Sequence, residues 1–127
     1  MATVLLVDDE PDVRSVLREV LELGGHTVLE ATSGRTALAT LAGGARVDLV
    51  LSDIRMPDGD GWSLLAEIRR RDPVRPAVVL ITGFSDVTAE QARARGAQEL
   101  VSKPCEVLAL LDTIEAHAAR PVPSPSA

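Results

Sequence analysis

A chain of 127 residues that is 46% hydrophobic and 25% charged has the length of one domain and the composition of a folded globular protein, neither disordered nor membranous. Nineteen acidic against thirteen basic residues give a net charge of -6, and Trp62 and Phe84 are the only aromatics, so neither nonspecific phosphate neutralisation nor a base-stacking platform is on offer for nucleic acid. No apolar run approaches the roughly 20 residues of a membrane span, the opening MATVLLVDDE lacks a signal-peptide pattern, and the single Cys105 rules out an internal disulfide and a cysteine zinc cluster, so the expected compartment is the cytoplasm.

Short apolar runs alternate with amphipathic segments five times. Val4 to Val7 predicts a first strand, and Val13, Val16, Leu17, Val20 and Leu21 then recur at helical spacing, with Pro11 in the first turn and Gly24-Gly25 as the stop. Val28 to Ala31 predicts the second strand. The second helix runs from about Gly34 to Leu41, with Ser33 as N-cap and Gly43-Gly44 as its end. The third strand, Val47 to Leu51, leads into Asp53 and a Pro- and Gly-rich loop. Trp62 to Arg71 follows as a helix that offers Leu64, Leu65 and Ile68 to the core and ends in three arginines suited to a negative helix terminus. Ala77 to Ile81 is the fourth strand. The helix predicted over Asp86 to Arg95 has little to bury beyond Val87 and its alanines, and is expected to be loosely held. Glu99 to Val101 predicts a fifth strand, and Val107, Leu110, Leu111, Ile114 and Ala118 a last helix. RPVPSPSA is expected to be a disordered tail or the start of a linker.

Five βα units imply an α/β fold with a five-stranded parallel sheet, doubly wound, because right-handed crossovers leave few other arrangements. Ligands of such sheets bind outside the carboxyl ends of the strands. Those ends carry Asp8-Asp9-Glu10, Asp53, Thr82-Gly83 and Lys103-Pro104. Clustered carboxylates repel unless a cation lies among them, and hard oxygen ligands at this density favour Mg²⁺, or Mn²⁺ in its place. A hydroxyl and an ammonium beside a metal describe a pocket for a phosphoryl group next to a carboxylate able to attack it. Of the thirteen basic residues only Lys103 is a lysine, and a compact ammonium suits a tight phosphoryl pocket better than a planar guanidinium.

DD after the first strand, D after the third followed by MP and a GDG loop, TG after the fourth and KP after the fifth resemble the receiver domain of bacterial two-component response regulators, of the chemotaxis-regulator type. Each dipeptide is weak alone; the four in order are specific. The resemblance covers Thr3 to about Ala119 and implies a (βα)5 domain over residues 1–119 with the flavodoxin-like strand order 2-1-3-4-5, followed by a tail over 120–127. It implies that Asp53 is the phosphoacceptor, taking its phosphoryl group from the phosphohistidine of a sensor histidine kinase or histidine phosphotransfer protein. By the same resemblance Asp9, Asp53 and the backbone carbonyl of Arg55 hold Mg²⁺, with Asp8 acting through a coordinated water. Thr82 and Lys103 contact phosphoryl oxygens, helped by backbone N–H groups around Arg55 and Gly83. Met56 and Pro57 shape the loop, and a cis Lys103-Pro104 bond aims the lysine inward.

The sequence departs from that pattern where many receivers place an aromatic two residues before the lysine; here that position is Leu100. The expected switch is therefore a Thr82 movement and a shift of the fourth helix, with Leu100 repacking. Arg55 and Phe84 border the path of an attacking water and are expected to slow hydrolysis of the acyl phosphate. Other residues have plainer readings. Asp58 and Asp60 form the turn, Glu10 starts a helix as readily as it reaches a metal, and Cys105 is a small half-buried residue at a helix start. His26 and His117, without partners at ligand spacing, are exposed or partly exposed structural residues, Trp62 covers the packing edge of the third helix, and Arg69, Arg70 and Arg71 form a solvated helix end.

The leading expectation is a phosphorylation-controlled signalling switch, a stoichiometric phosphoacceptor and not a turnover enzyme. It acts on a downstream protein, or through a phosphorylation-dependent homodimer, by way of the fourth helix, fifth strand and last helix, without direct nucleic-acid or membrane binding. Two readings compete: a receiver-like interaction module that needs no phosphorylation, and an aspartate-nucleophile hydrolase or phosphotransferase. The second usually carries its nucleophile in a D-x-D pattern after the first strand, where this chain has DDE.

Overall fold

The computed structural model describes residues 2–83, 87–102 and 107–118. Strands and helices alternate: β1 (Thr3–Val7), α1 (Pro11–Leu23), β2 (Thr27–Ala31), α2 (Gly34–Ala42), β3 (Leu49–Asp53), α3 (Gly61–Arg71), β4 (Ala77–Thr82), α4 (Ala89–Ala94), β5 (Glu99–Ser102) and α5 (Val107–Ala118). All pairings are parallel, as the five βα units imply, and the order is β2-β1-β3-β4-β5, the order that the resemblance implies. Among the described residues, no helix is long and apolar enough to cross a membrane.

Strand alternation divides the core into two layers. Leu5, Val7, Val50, Val78 and Leu80 face Ala37, Leu64, Leu65, Ile68 and Ala92 of α2, α3 and α4. Val4, Leu6, Leu49, Leu51, Val79 and Ile81 face Leu17, Val20, Leu21, Leu110 and Ile114 of α1 and α5. The central strands are apolar on both sides for that reason, and β3 is buried along its whole length, Asp53 included.

The helix ends follow their local chemistry. Pro11 occupies the first turn of α1, and Ser33 caps α2 in a reciprocal pair with Thr36. Asp60 caps α3 by accepting from the Ser63 N–H at 2.8 Å. α4 is shorter than the sequence suggests: Thr88 and Gln91 form a capping box, so the helix begins at Ala89, and residues 84–86, where the predicted start fell, lie outside the described residues. The strong start signal was the T-x-x-Q pattern, which outweighs Asp86.

Two expectations are corrected. His26 is 6% exposed rather than on the surface, and neither ring nitrogen has a hydrogen-bond partner among the described contacts; it packs under Gly24, where α1 turns into β2. Arg69 is not part of a solvated helix end. Its Nε donates to the Gly96 carbonyl at 2.7 Å and its Nη2 to Gln98 Oε1 at 2.9 Å, while the same Gln98 oxygen accepts from the Val78 N–H at 2.6 Å. Burial pushes the Arg69 guanidinium below its ordinary value.

Candidate functional site

The sheet register builds the site. Val7 of β1 lies opposite Ser52 of β3, so the next residues, Asp8 and Asp53, emerge side by side at the carboxyl rim, on the face that carries Leu6 and Leu51. This is where strand order reverses around β1, the usual ligand position in a doubly wound sheet. Asp8 is 1% and Asp53 8% exposed. A carboxylate from Glu10 joins them, and one oxygen from each of Asp8, Glu10 and Asp53 lies within 4.8 Å of the others.

Glu10 thus does something other than start a helix. It occupies the N-cap position of α1 but makes no side-chain cap hydrogen bond; its backbone N–H donates to Asp8 Oδ1 at 2.8 Å, and its carboxylate turns to the cluster. Asp9, half-buried, is not in that group. Thr82 ends β4 opposite Ser102 and is 2% exposed. Arg55 and Gly83 are exposed at the rim, Met56 is buried, Pro57 is exposed, and Leu100 packs half-buried on the layer that includes Leu80 and Ala92. Phe84, Lys103, Pro104 and Cys105 lie outside the described residues, and so does the expected cis Lys103-Pro104 bond; the cis peptide among the described residues is Arg75-Pro76.

The loop after Asp53 is held from three sides. The Gly61 N–H donates to the Ile54 carbonyl at 2.8 Å, and a Cβ at Gly61 would stand 2.5 Å from the Asp53 carbonyl oxygen, so only glycine lets α3 begin this close to the acid. Asp58 has φ 59°, and its carboxylate pairs with Arg35 at 2.9 Å. The Gly34 N–H donates to the Gly59 carbonyl at 2.8 Å, docking the turn on α2. An open cavity of about 590 Å³ beside this loop is bounded, among the described residues, by Ile54, Arg55, Met56, Pro57, Asp60, Trp62 and Val87. The Arg95 guanidinium lies 4.6 Å from the centre of the Trp62 ring, so Trp62 covers a packing edge and carries a cation on its face as well.

Three carboxylates this close repel one another, and a hard divalent cation among them would remove the repulsion. The donor set is all oxygen, two of its members are buried, and the third comes from a loop; it fits such a cation. A neighbouring network escaped the sequence reading. Arg14 donates through Nη1 to the Asp8 carbonyl and through Nε to Glu30 Oε1, both at 2.8 Å, and Arg18 holds the other Glu30 oxygen. Hydrogen bonding from Arg18, and then from Arg14, holds the Glu30 carboxyl below the usual carboxylate range against its partial burial. No spacing rule links Arg14 to Glu30; the packing of α1 beside β2 brings them together.

The family model of the response regulator receiver domain matches residues 4–115. The chain is 42% identical over 123 residues to the response regulator protein FleR of Pseudomonas aeruginosa, and 41% identical over 103 residues to the C4-dicarboxylate transport transcriptional regulatory protein DctD of Rhizobium meliloti. These alignments take in 96% and 80% of this chain but 26% and 22% of the relatives, so the chain spans about a quarter of their length. The solved signal receiver domain of a signal transduction histidine kinase from Syntrophus aciditrophicus matches with a TM-score of 0.87 at 27% identity, over 100% of this chain and 97% of that one.

Proposed function

Because the chain belongs to the response regulator receiver domain family, we propose that it is a phosphorylation-controlled switch whose Asp53 accepts a phosphoryl group from the phosphohistidine of a sensor histidine kinase or histidine phosphotransfer protein. The observation that carries this reading is the meeting of the Asp8, Glu10 and Asp53 carboxylates at the rim where Thr82 also ends its strand. An Asp53 oxygen forms the new O–P bond as the N–P bond of the donor breaks, leaving an acyl phosphate. The rigid, buried end of β3 orients that oxygen and limits the water around it. Thr82 donates its hydroxyl to a phosphoryl oxygen, and Lys103 supplies a compact positive charge to another. Mg²⁺, or Mn²⁺, would neutralise the phosphoryl charge; the gathered carboxylates of Asp8, Glu10 and Asp53 would hold it, with Asp9 and the Arg55 carbonyl turning in as the further ligands that the resemblance implies.

The chain is a stoichiometric acceptor of cytoplasmic two-component signalling, and its acyl phosphate is lost slowly, with Arg55 and Phe84 shielding it from water. Residues 1–119 form the receiver and 120–127 a tail or linker start. Thr82 moving toward the phosphoryl group draws Gly83 and α4 with it, and Leu100 repacks. The downstream protein, or a second copy of the chain, reads that change on α4, β5 and α5. FleR is named a response regulator and DctD a transcriptional regulator, so the output of this receiver is of the regulatory kind, reached through another protein or another segment.

The test is incubation with a small phosphodonor and Mg²⁺ followed by intact-mass measurement. One added phosphoryl group is expected on the native chain and none on Asp53→Asn. A native chain that gains nothing with any donor would leave the phosphorylation-independent module as the better reading.

A further inference from the structure

Arg14 stands in the first turns of α1, yet its guanidinium turns back to the carboxyl rim. It spans the Asp8 carbonyl and the Glu30 carboxylate with two N–H groups, each at 2.8 Å, and its side chain is 17% exposed. Glu30 lies on β2 opposite Leu6 of β1, and Arg18 grips the other oxygen of the same carboxylate. Among the described contacts the loop that carries Asp8 and Glu10 is also held by Asp8 N–H to the Ala31 carbonyl at 3.1 Å, Glu10 N–H to Asp8 Oδ1 at 2.8 Å and Arg14 N–H to the Glu10 carbonyl at 2.9 Å. The Asp8 residue is therefore fixed to β2 twice, at its N–H directly and at its carbonyl through Arg14.

We infer that Arg14 is a positioning residue for divalent-cation binding, a role that rests on reading the Asp8, Glu10 and Asp53 cluster as the cation site. Among the described contacts it touches none of the three carboxylates. It acts by holding the loop against their mutual repulsion, which otherwise favours conformations with Asp8 and Glu10 turned away from Asp53. A preformed cluster binds a cation without the cost of gathering it first. The bridge needs a fork with two donors at fixed angles, which a lysine ammonium does not provide. Charge alone predicts the opposite sign: a cation beside the site opposes a divalent ion, so a purely electrostatic Arg14 would weaken binding and its removal would strengthen it.

Mg²⁺ titrated calorimetrically into the unphosphorylated chain separates these cases. Arg14→Ala and Arg14→Lys should both bind Mg²⁺ about tenfold more weakly, the scale on which supporting partners of metal ligands act. Arg18→Ala shares Glu30 without reaching Asp8 and should stay within about twofold of the native chain, as an exposed pair would. A purely structural loss would not single out Arg14→Lys, so thermal unfolding of Arg14→Lys and Arg18→Ala is compared alongside. If Arg14→Ala does not fold, Glu30→Ala, which removes the anchor on β2, should show the same weakening. Native affinity in Arg14→Lys, or tighter binding in Arg14→Ala, overturns the assignment and leaves the cation site intact. A native chain that takes up no Mg²⁺ overturns the site and its brace together.

Discussion

α1, which follows Asp8, is thirteen residues long and buries Leu17, Val20 and Leu21, whereas α4, which follows Thr82, has six residues and buries only Ala92. Full burial of a Val or Leu side chain contributes about 1.5–3 kcal/mol and a single methyl about 0.8 kcal/mol, so the apolar hold on α1 exceeds that on α4 severalfold. Beside Ala92, the described contacts that tie α4 and its following turn to the rest of the molecule are polar: Arg69 on that turn, Arg95 over Trp62, and Arg93 paired with Glu99 at 3.6 Å, while the Thr88–Gln91 capping box closes the helix start. Polar contacts of this sort are individually weak and geometrically selective, so they can be exchanged for others at small net cost. The acids of the site are thus mounted on the firmly packed half, and Thr82 leads into the half that can move.

The largest expected effect lies in the firm half. Leu21→Ala removes a fully buried side chain and should cost about 2–5 kcal/mol in urea unfolding. Ala92→Gly should cost about 1 kcal/mol and act locally, speeding amide exchange in residues 89–96 well before the rest of the molecule. Equal costs for the two, or equal native exchange rates in α1 and α4, would break the contrast.

The part of this arrangement legible in the sequence was the part written in periodicity and in residue types at strand ends. The apolar runs of β1, β3 and β4 announce strands buried on both faces, and Asp8, Asp53 and Thr82 stand at their ends, so fold and rim were readable together. Glu10 is harder to read, because an acid before a helix has two uses and only the folded chain turns its carboxylate to Asp53. His26, next to a glycine pair, has no local sign of being covered; burial there depends on α5 packing near Gly24 through Leu111. The three arginines after Ile68 look alike in sequence, and the helix phase together with the Gly96 turn selects Arg69 to face inward.

That inward arginine provides an intermediate test. Arg69→Ala takes the Arg69 donor from the Gly96 carbonyl and leaves the Gln98 amide oxygen with the Val78 N–H alone, a loss of about 1–3 kcal/mol for partly buried groups. The damage should concentrate on the turn between α4 and β5, seen as faster exchange at Ala97 and Gln98 with α1 unaffected. Gly96 has φ 104°, and a Cβ there would stand 2.8 Å from Arg69 Cγ, so Gly96→Ala should disturb the same turn from the other side. If Arg69→Ala instead loosened both halves equally, α4 would not be a separately held element.

The smallest effect belongs to Glu30, on the firm side, and it is read in acid. Its folded carboxyl titrates below the ordinary value of 4.5, first because of Arg18 and then because of Arg14, so the pairing favours the folded state above that value. As pH falls through the lowered value Glu30 becomes protonated in the folded state as well, and this contribution disappears. Glu67 and Asp72 are also held low, by Arg70 and by the Val74 and Arg75 N–H groups, and they lose their contributions in the same direction. They remain in Glu30→Gln, so the difference between that variant and the native chain isolates Glu30. The native chain should be the more stable by a constant margin above 4.5, and the urea midpoints should converge as pH falls from 4.5 through the lowered folded value. A constant gap across that range would mean that the Glu30 carboxyl holds Arg14 by shape and not by charge.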